Sequence, residues 1–210
     1  MANSRRLAGQ ASVILAVVLG FLCGSLYGGT GDSLVNENFD ELTPQEGVTL
    51  VGAFHTINGT NVDIVQNGGI FGYLCQSPES GNCIDMNGGY AWGDPQGHLQ
   101  SNMLFPSGNY LLSFDLIGSQ RDATASVMVT FGDYSQVFTL TSTDDVDGIV
   151  VNQPVTLTTP GYLEFASETE GQIGLLLDNV VVSAQTVPEP SSLLLLGSAL
   201  WLAGSRFRRQ

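Results

Sequence analysis

Tyr90 and Trp92 stand two residues apart in Asn87-Gly-Gly-Tyr-Ala-Trp-Gly-Asp-Pro-Gln-Gly-His98, a stretch that gathers aromatic rings and planar polar side chains among glycines. That combination suits a sugar. A ring face covers the apolar C–H side of a pyranose, and amides, carboxylates or a guanidinium hydrogen-bond its hydroxyls. Asn87 supplies an amide in the same stretch. Arg121, in Gly118-Ser-Gln-Arg-Asp122, is the one cation between the two termini and could grip hydroxyls or a uronate. Structural roles compete for the same residues, since a tryptophan also caps a sandwich core and an arginine also pairs with Asp122 or another carboxylate.

Bond-breaking chemistry has weaker support. His55 and His98 are the two histidines, and neither sits in a signature that ties it to a nucleophile. The GxSxG elbow, the HExxH zinc motif and a phosphate-cradling glycine loop are all absent from the sequence. A glycosidase needs two carboxylates about 5–9 Å apart, and no pattern among the acids selects such a pair. The chain therefore reads as non-enzymatic. Asp144-Asp-Val-Asp-Gly148 resembles the start of a calcium loop, but with Thr143 first, Pro154 occupies the place of the required bidentate glutamate. That cluster reads as a solvated turn.

Cys75 and Cys83 flank the polar segment QSPESGN, in which Pro78 and Gly81 allow the chain to turn back. In an oxidising compartment this spacing predicts a short-loop disulfide worth about 2–3 kcal/mol. With Cys23 set aside in the N-terminal apolar run, the two remaining cysteines are too few for a soft-metal site, and no CxxC redox pair exists.

The chain has 210 residues, enough for one domain, and a net charge of −14. All six basic residues are arginines: Arg5, Arg6, Arg121, Arg206, Arg208 and Arg209. The 20 acidic residues lie between Asp32 and Glu189, so the body is nearly a pure polyanion. Phosphates are repelled from such a surface, which argues against nucleic acid as a partner. Neutral sugars, cations and basic surfaces remain.

Short alternating runs must position these side chains. In Tyr110-Leu-Leu-Ser-Phe-Asp-Leu-Ile117, Leu112, Phe114 and Leu116 share one face. Val127-Met-Val-Thr-Phe131 turns through Gly132-Asp133 into Tyr134-Ser-Gln-Val-Phe-Thr-Leu140, a hairpin signal. Further runs cover 48–54, 61–66, 98–104, 149–157, 161–166 and 173–183. About eight to ten amphipathic strands at this spacing predict an all-β jelly-roll sandwich over residues 30–186.

The ends read as addresses. Arg5 and Arg6 precede the apolar run 11–26, which predicts a secretory signal helix over residues 1–29. Residues 191–204 are apolar apart from Ser191, Ser192 and Ser198, and are followed by arginines. This predicts a short C-terminal transmembrane helix with residues 30–190 outside, shorter than the ~20 residues that span a bilayer comfortably.

Val187-Pro188-Glu189-Pro190, the apolar segment with Gly197, and Arg206-Phe207-Arg208-Arg209 resemble, in that order, the PEP-CTERM sorting signal. The resemblance makes Pro188, Glu189, Pro190, Arg206, Arg208 and Arg209 the sorting motif over residues 187–210. It implies export across an inner membrane, transient anchoring, and cutting by an exosortase in a bacterium that makes exopolysaccharide. The protein would end at the cell surface or outside the cell. A second resemblance runs through the body. Asn36-Glu-Asn-Phe-Asp40, Ser80-Gly-Asn-Cys-Ile-Asp-Met86, Gly108-Asn-Tyr-Leu-Leu-Ser-Phe-Asp115 and Leu177-Asp-Asn-Val180 look like the galactose-binding-like jelly roll of carbohydrate-binding modules. That family implies a structural calcium near the paired first and last strands, with Asp40 and Asp178 as its ligands. Calcium takes about six to eight hard oxygens, and this chain has carboxylates in excess, though both residues also suit exposed turns. The expectation is an exported protein that binds carbohydrate in the exopolysaccharide matrix. A structural or adhesive biofilm protein without a small ligand is the alternative, and a polysaccharide hydrolase the third.

Overall fold

The computed structural model describes residues 30–68, 75, 81–88, 96–142 and 149–185. All regular structure in them is β: β1 (Thr30–Glu37), β2 (Gln45–Val48), β3 (Leu50–Val51), β4 (Phe54–Thr56), β5 (Val62–Gln66), β6 (Asn82–Asp85), β7 (His98–Ser101), β8 (Gly108–Ile117), β9 (Ala125–Phe131), β10 (Tyr134–Leu140), β11 (Ile149–Leu157), β12 (Leu163–Ser167) and β13 (Leu176–Gln185). The predicted signal helix and C-terminal helix fall outside the described residues. Among those described, no helix is long and apolar enough to cross a membrane.

The strands form two antiparallel sheets, an all-β sandwich of the jelly-roll kind. One runs β11-β8-β13-β6-β5-β2, with β1 also paired to β13, and the other runs β10-β9-β12-β7-β4-β3. Alternation explains the packing. β8 buries Tyr110, Leu112, Phe114 and Leu116, while the residues between them are only half-buried. β9 buries Ala125, Val127, Val129 and Phe131 in the same way. The inner faces meet through edge-on aromatic rings. Phe114 of one sheet and Phe165 of the other have centroids 5.3 Å apart, and Phe165 continues to Phe54 at 6.0 Å. Losing the Phe165 ring would cost about 3–5 kcal/mol.

The β9–β10 hairpin forms at Gly132-Asp133, with Tyr134 opposite Phe131. Gly132 has φ +58°, and a Cβ there would lie 2.0 Å from Leu157 Cδ2, so conformation and space both require glycine.

β1 and β6 lie outside the alternating runs. β1, TGDSLVNE, is mostly polar and held by pairing to β13, with two register shifts. β6, NCID, is buried at all four positions, so it shows no alternation. Its second face helps form a small satellite core of Val65, Cys75, Cys83, Ile117 and Leu176, separate from the main core that takes Ile64 and Ile84. A disulfide joins Cys75 to Cys83 inside this satellite.

Candidate functional site

The outer face of the six-stranded sheet carries a connected polar row. Register places His55 opposite Gln100, Gln100 opposite Glu164, and Glu164 opposite Thr130. Their neighbours Phe54, Leu99, Phe165 and Val129 are buried, so alternation turns the polar set outward. Gln100 Nε2 donates to Glu164 Oε1 at 2.7 Å, and His98 Nε2 lies 3.0 Å from Glu164 Oε2. Asn58 Nδ2 approaches His98 Nδ1 at 3.4 Å, which makes Nδ1 the acceptor and assigns the proton to Nε2. His55 Nδ1 donates to Asn102 Oδ1 at 2.8 Å, and Asn102 Nδ2 donates to the Gly52 carbonyl at 3.1 Å. His98 and Glu164 keep 23% and 29% of their side-chain surface in solvent. Tyr162, just before β12 and two residues before Glu164, is exposed. The result is a set of planar donors and acceptors held to one another by hydrogen bonds.

None of these residues was a sequence candidate. The signal available was the alternation His98-Leu-Gln100 and Tyr162-Leu-Glu164, polar or aromatic about a leucine, but only register unites the two segments.

Asn87 and Arg121, two of the four sugar candidates, are brought together in a different place. Asp85, at the end of β6 and 2% exposed, is the hub. Its Oδ1 accepts from Asn87 N at 3.0 Å and from Gly174 N at 3.1 Å, and its Oδ2 receives Arg121 Nη2. Arg121 Nη2 also donates to the Gln172 carbonyl at 3.1 Å, and Asn87 Nδ2 to the Thr169 carbonyl at 2.6 Å. Arg121 therefore pairs with Asp85, another carboxylate than its neighbour in the sequence. Burial pushes the Asp85 carboxyl above its ordinary value, although the Arg121 charge and the two backbone donors pull it down. Asp63, opposite Asp85 in the β5–β6 register, is raised to about 6, first by burial and then by the Asp85 charge, against the pull of the Gly47 amide. This network ties β6 to the 118–122 and 169–174 segments. It also fastens Asn87 through both its backbone N–H and its side chain.

Tyr90 and Trp92 lie outside the described residues. The roots of their stretch are inside. Gly88 N donates to the Asp85 carbonyl, and the Gly97 carbonyl accepts from Ser167 N. A Cβ on Gly88 would fall 2.2 Å from Asp63 N, and one on Gly97 2.1 Å from the Met86 carbonyl oxygen, so both feet are packed tightly against β5 and β6. From Gly97 the chain passes directly into His98 and the polar row.

Asp40 and Asp178, the calcium candidates, are electrostatic neighbours. Asp178 is 2% exposed and its carboxyl is raised to about 7, chiefly by burial and further by the charges of Asp40 and Asp115, against the Asn179 amide. Asn179 sits at φ +51° in a bulge of β13 and its Nδ2 donates to Asp115 Oδ2 at 2.8 Å. Asp40 Oδ1 accepts from Gly81 N and Asn82 N at 2.8 and 3.0 Å, and Oδ2 from Asn38 Nδ2 at 2.8 Å. Among the described residues no three His, Cys, Asp or Glu side chains converge on a metal position. Asp178 Oδ1 likewise accepts from Asn179 N at 2.7 Å.

The PEP-CTERM protein-sorting motif matches residues 186–209. The chain carries a PEP-CTERM sorting signal. That signal marks a secreted protein sorted through its C-terminus; Pro188, Glu189, Pro190, Arg206, Arg208 and Arg209 all fall within the match and outside the described residues. No curated protein matches the PEP-CTERM chain in sequence. Among solved structures it is similar to the CBM22-1–GH10 modules of Clostridium thermocellum xylanase 10B, complexed with xylohexaose, at 9% identity and TM-score 0.46, covering 75% of this chain and 29% of that one. The chain thus spans less than a third of that xylanase. It is similar to the CBM22-1 xylan-binding domain of Paenibacillus barcinonensis Xyn10C, at 14% identity and TM-score 0.47, covering 76% and 98%. It is also similar to the K1 cleaved adhesin domain of Lys-gingipain from Porphyromonas gingivalis W83, at 16% identity and TM-score 0.49, covering 74% and 100%.

Proposed function

We propose that this PEP-CTERM protein is a non-catalytic, exported carbohydrate-binding protein of the extracellular matrix, and that polysaccharide lies across the outer face of its six-stranded sheet. The observation that carries the reading is the Glu164–Gln100–His98 row. Its polar groups already hydrogen-bond one another and so meet a ligand with little loss of side-chain freedom. A sugar hydroxyl both donates and accepts, and here it meets an imidazole, an amide and a carboxylate within one patch, while the exposed Tyr162, two residues before Glu164, is assigned to the C–H face. The stretch holding Tyr90 and Trp92 leads into this row through His98 and is assigned to the same ligand. In this reading residues 1–29 are the signal peptide. An exosortase acts at Pro188-Glu189-Pro190 after transient membrane retention, and the product remains on the surface or in the exopolysaccharide. A calcium ion held by Asp178 and Asp40 would supply positive charge to an acidic corner and brace β13, a structural role only.

The test is affinity electrophoresis of the purified protein through gels that contain neutral or acidic polysaccharides. Retardation is expected in at least one gel, with binding about tenfold weaker for Tyr162→Ala and about 3–10-fold weaker for Gln100→Ala. Trp92→Ala should weaken it as well. Unchanged retardation of Tyr162→Ala and Gln100→Ala, both still folded, would remove the sheet face from the reading.

A further inference from the structure

An edge strand offers a row of unpaired backbone N–H and C=O groups, and proteins guard such rows with charge, proline, bulges or brevity. The edges here differ in that respect. β11 carries Pro154 at its middle, opposite Leu111. β1 contains Asp32 and Glu37 and breaks register twice. β2 has four residues, with Glu46, a left-handed Gly47 and a register shift. β3 has only two residues. β10 has none of these guards. Its seven residues, YSQVFTL, pair with β9 in unbroken register and include no charge, proline or glycine. Its other edge pairs with no strand among the described residues, and Val137 is 54% exposed.

We propose that β10 pairs antiparallel with β10 of a second copy of this chain, joining the two six-stranded sheets into one. Charge restricts where a second copy can meet this one. A chain with 20 acids and six bases repels its own copy over most of its surface. The hairpin from Ala125 to Leu140 holds a single acid, Asp133, at the turn, where Thr158 Oγ1 donates to its Oδ2 at 2.6 Å. Acids farther than about 8 Å from the seam are largely screened at physiological salt. A two-fold axis through Val137 sets Gln136 against Phe138, Ser135 against Thr139 and Tyr134 against Leu140, all uncharged and mostly β-branched or aromatic pairs. Such an interface closes on itself and stops at two copies. It also places both polar rows on one continuous face, which, given the function proposed above, makes the pair bivalent for a long polysaccharide.

Sedimentation of the exported, processed protein over a range of concentrations tests this. A reversible dimer is expected, weaker at low salt, where repulsion between the anionic bodies is unscreened. Edge amides of β10 should exchange hydrogen more slowly as the dimer forms. Val137→Lys opposes two lysines across the axis and should weaken association about tenfold or more while leaving the melting temperature of the monomer unchanged. Asn152→Lys, on the proline-guarded β11, should leave the dimer intact. A protein that is monomeric at every concentration, a dimer indifferent to Val137→Lys, or one lost with Asn152→Lys would overturn the proposal. Because sedimentation needs no polysaccharide, its outcome is independent of carbohydrate binding.

Discussion

Replacing Arg121 with Gln takes the guanidinium away from Asp85 and leaves that carboxylate 2% exposed, with only the Asn87 and Gly174 amides for company. Breaking a buried ion pair from one side costs about 3–5 kcal/mol, because the remaining charge keeps its desolvation penalty and loses its partner. Arg121 has 24% of its side-chain surface in solvent, which puts the expected loss near the lower end, about 3 kcal/mol at pH 7. The sign with pH follows from the direction of the Asp85 shift. Its folded-state pKa is already raised, and removing the cation raises it further. The folded variant then holds a proton that the unfolded chain releases near its ordinary value of 3.8, so stability is fullest below that pH and falls as pH rises. Urea unfolding followed by circular dichroism should show the gap between wild type and Arg121→Gln small at pH 4 and wide at pH 7. Asp85→Asn keeps an acceptor for both amides and should cost less, about 1–2 kcal/mol. The double variant should fall well short of the sum of the two single losses. An Arg121→Gln loss below about 1 kcal/mol, or one that does not change with pH, would refute the hub role assigned to Asp85.

Cys75→Ser with Cys83→Ser should lower stability by about 2.5 kcal/mol through the freed loop alone, measured by thermal melting against the oxidised wild type. Asp178, raised from 3.8 to about 7, contributes stability that is complete below the lower value and lost as pH climbs through the higher one, at most about 4 kcal/mol. Asp178→Asn should flatten that part of the pH profile. Calcium should raise the melting temperature at pH 8 more than at pH 5, and Asp178→Asn should abolish the rise; no shift at pH 8 would argue against the cation. Gly132→Ala should destabilise by about 1 kcal/mol or more, since the left-handed φ and the Leu157 contact both oppose a side chain.

Where one face of a strand is buried and the other is wet, the fold was readable from residue types. β8 and the β9–β10 hairpin fall where Leu112, Phe114 and Leu116 alternate and where Gly132-Asp133 turns the chain. β6 was not readable as a strand, because Asn82, Cys83, Ile84 and Asp85 are all buried and a strand covered on both faces has no period to detect. β1 was hidden for the opposite reason: a polar sequence held by its neighbour β13.

The site follows a different rule. Arg121 and Asn87 stood out by type, yet Asp85, which orders them both, lies 36 residues from Arg121 and accepts from Gly174 across 89. The polar row is as scattered: His55 meets Asn102 across 47 residues and Gln100 meets Glu164 across 64. A sandwich whose neighbouring strands are distant in sequence builds its faces from residues that share no local motif, and histidines without a signature in the chain acquire one only through register. His98 shows why this matters for function. Alone it is a histidine at the start of a short strand. With Asn58 on one ring nitrogen and Glu164 on the other, its tautomer and plane are fixed before any ligand arrives.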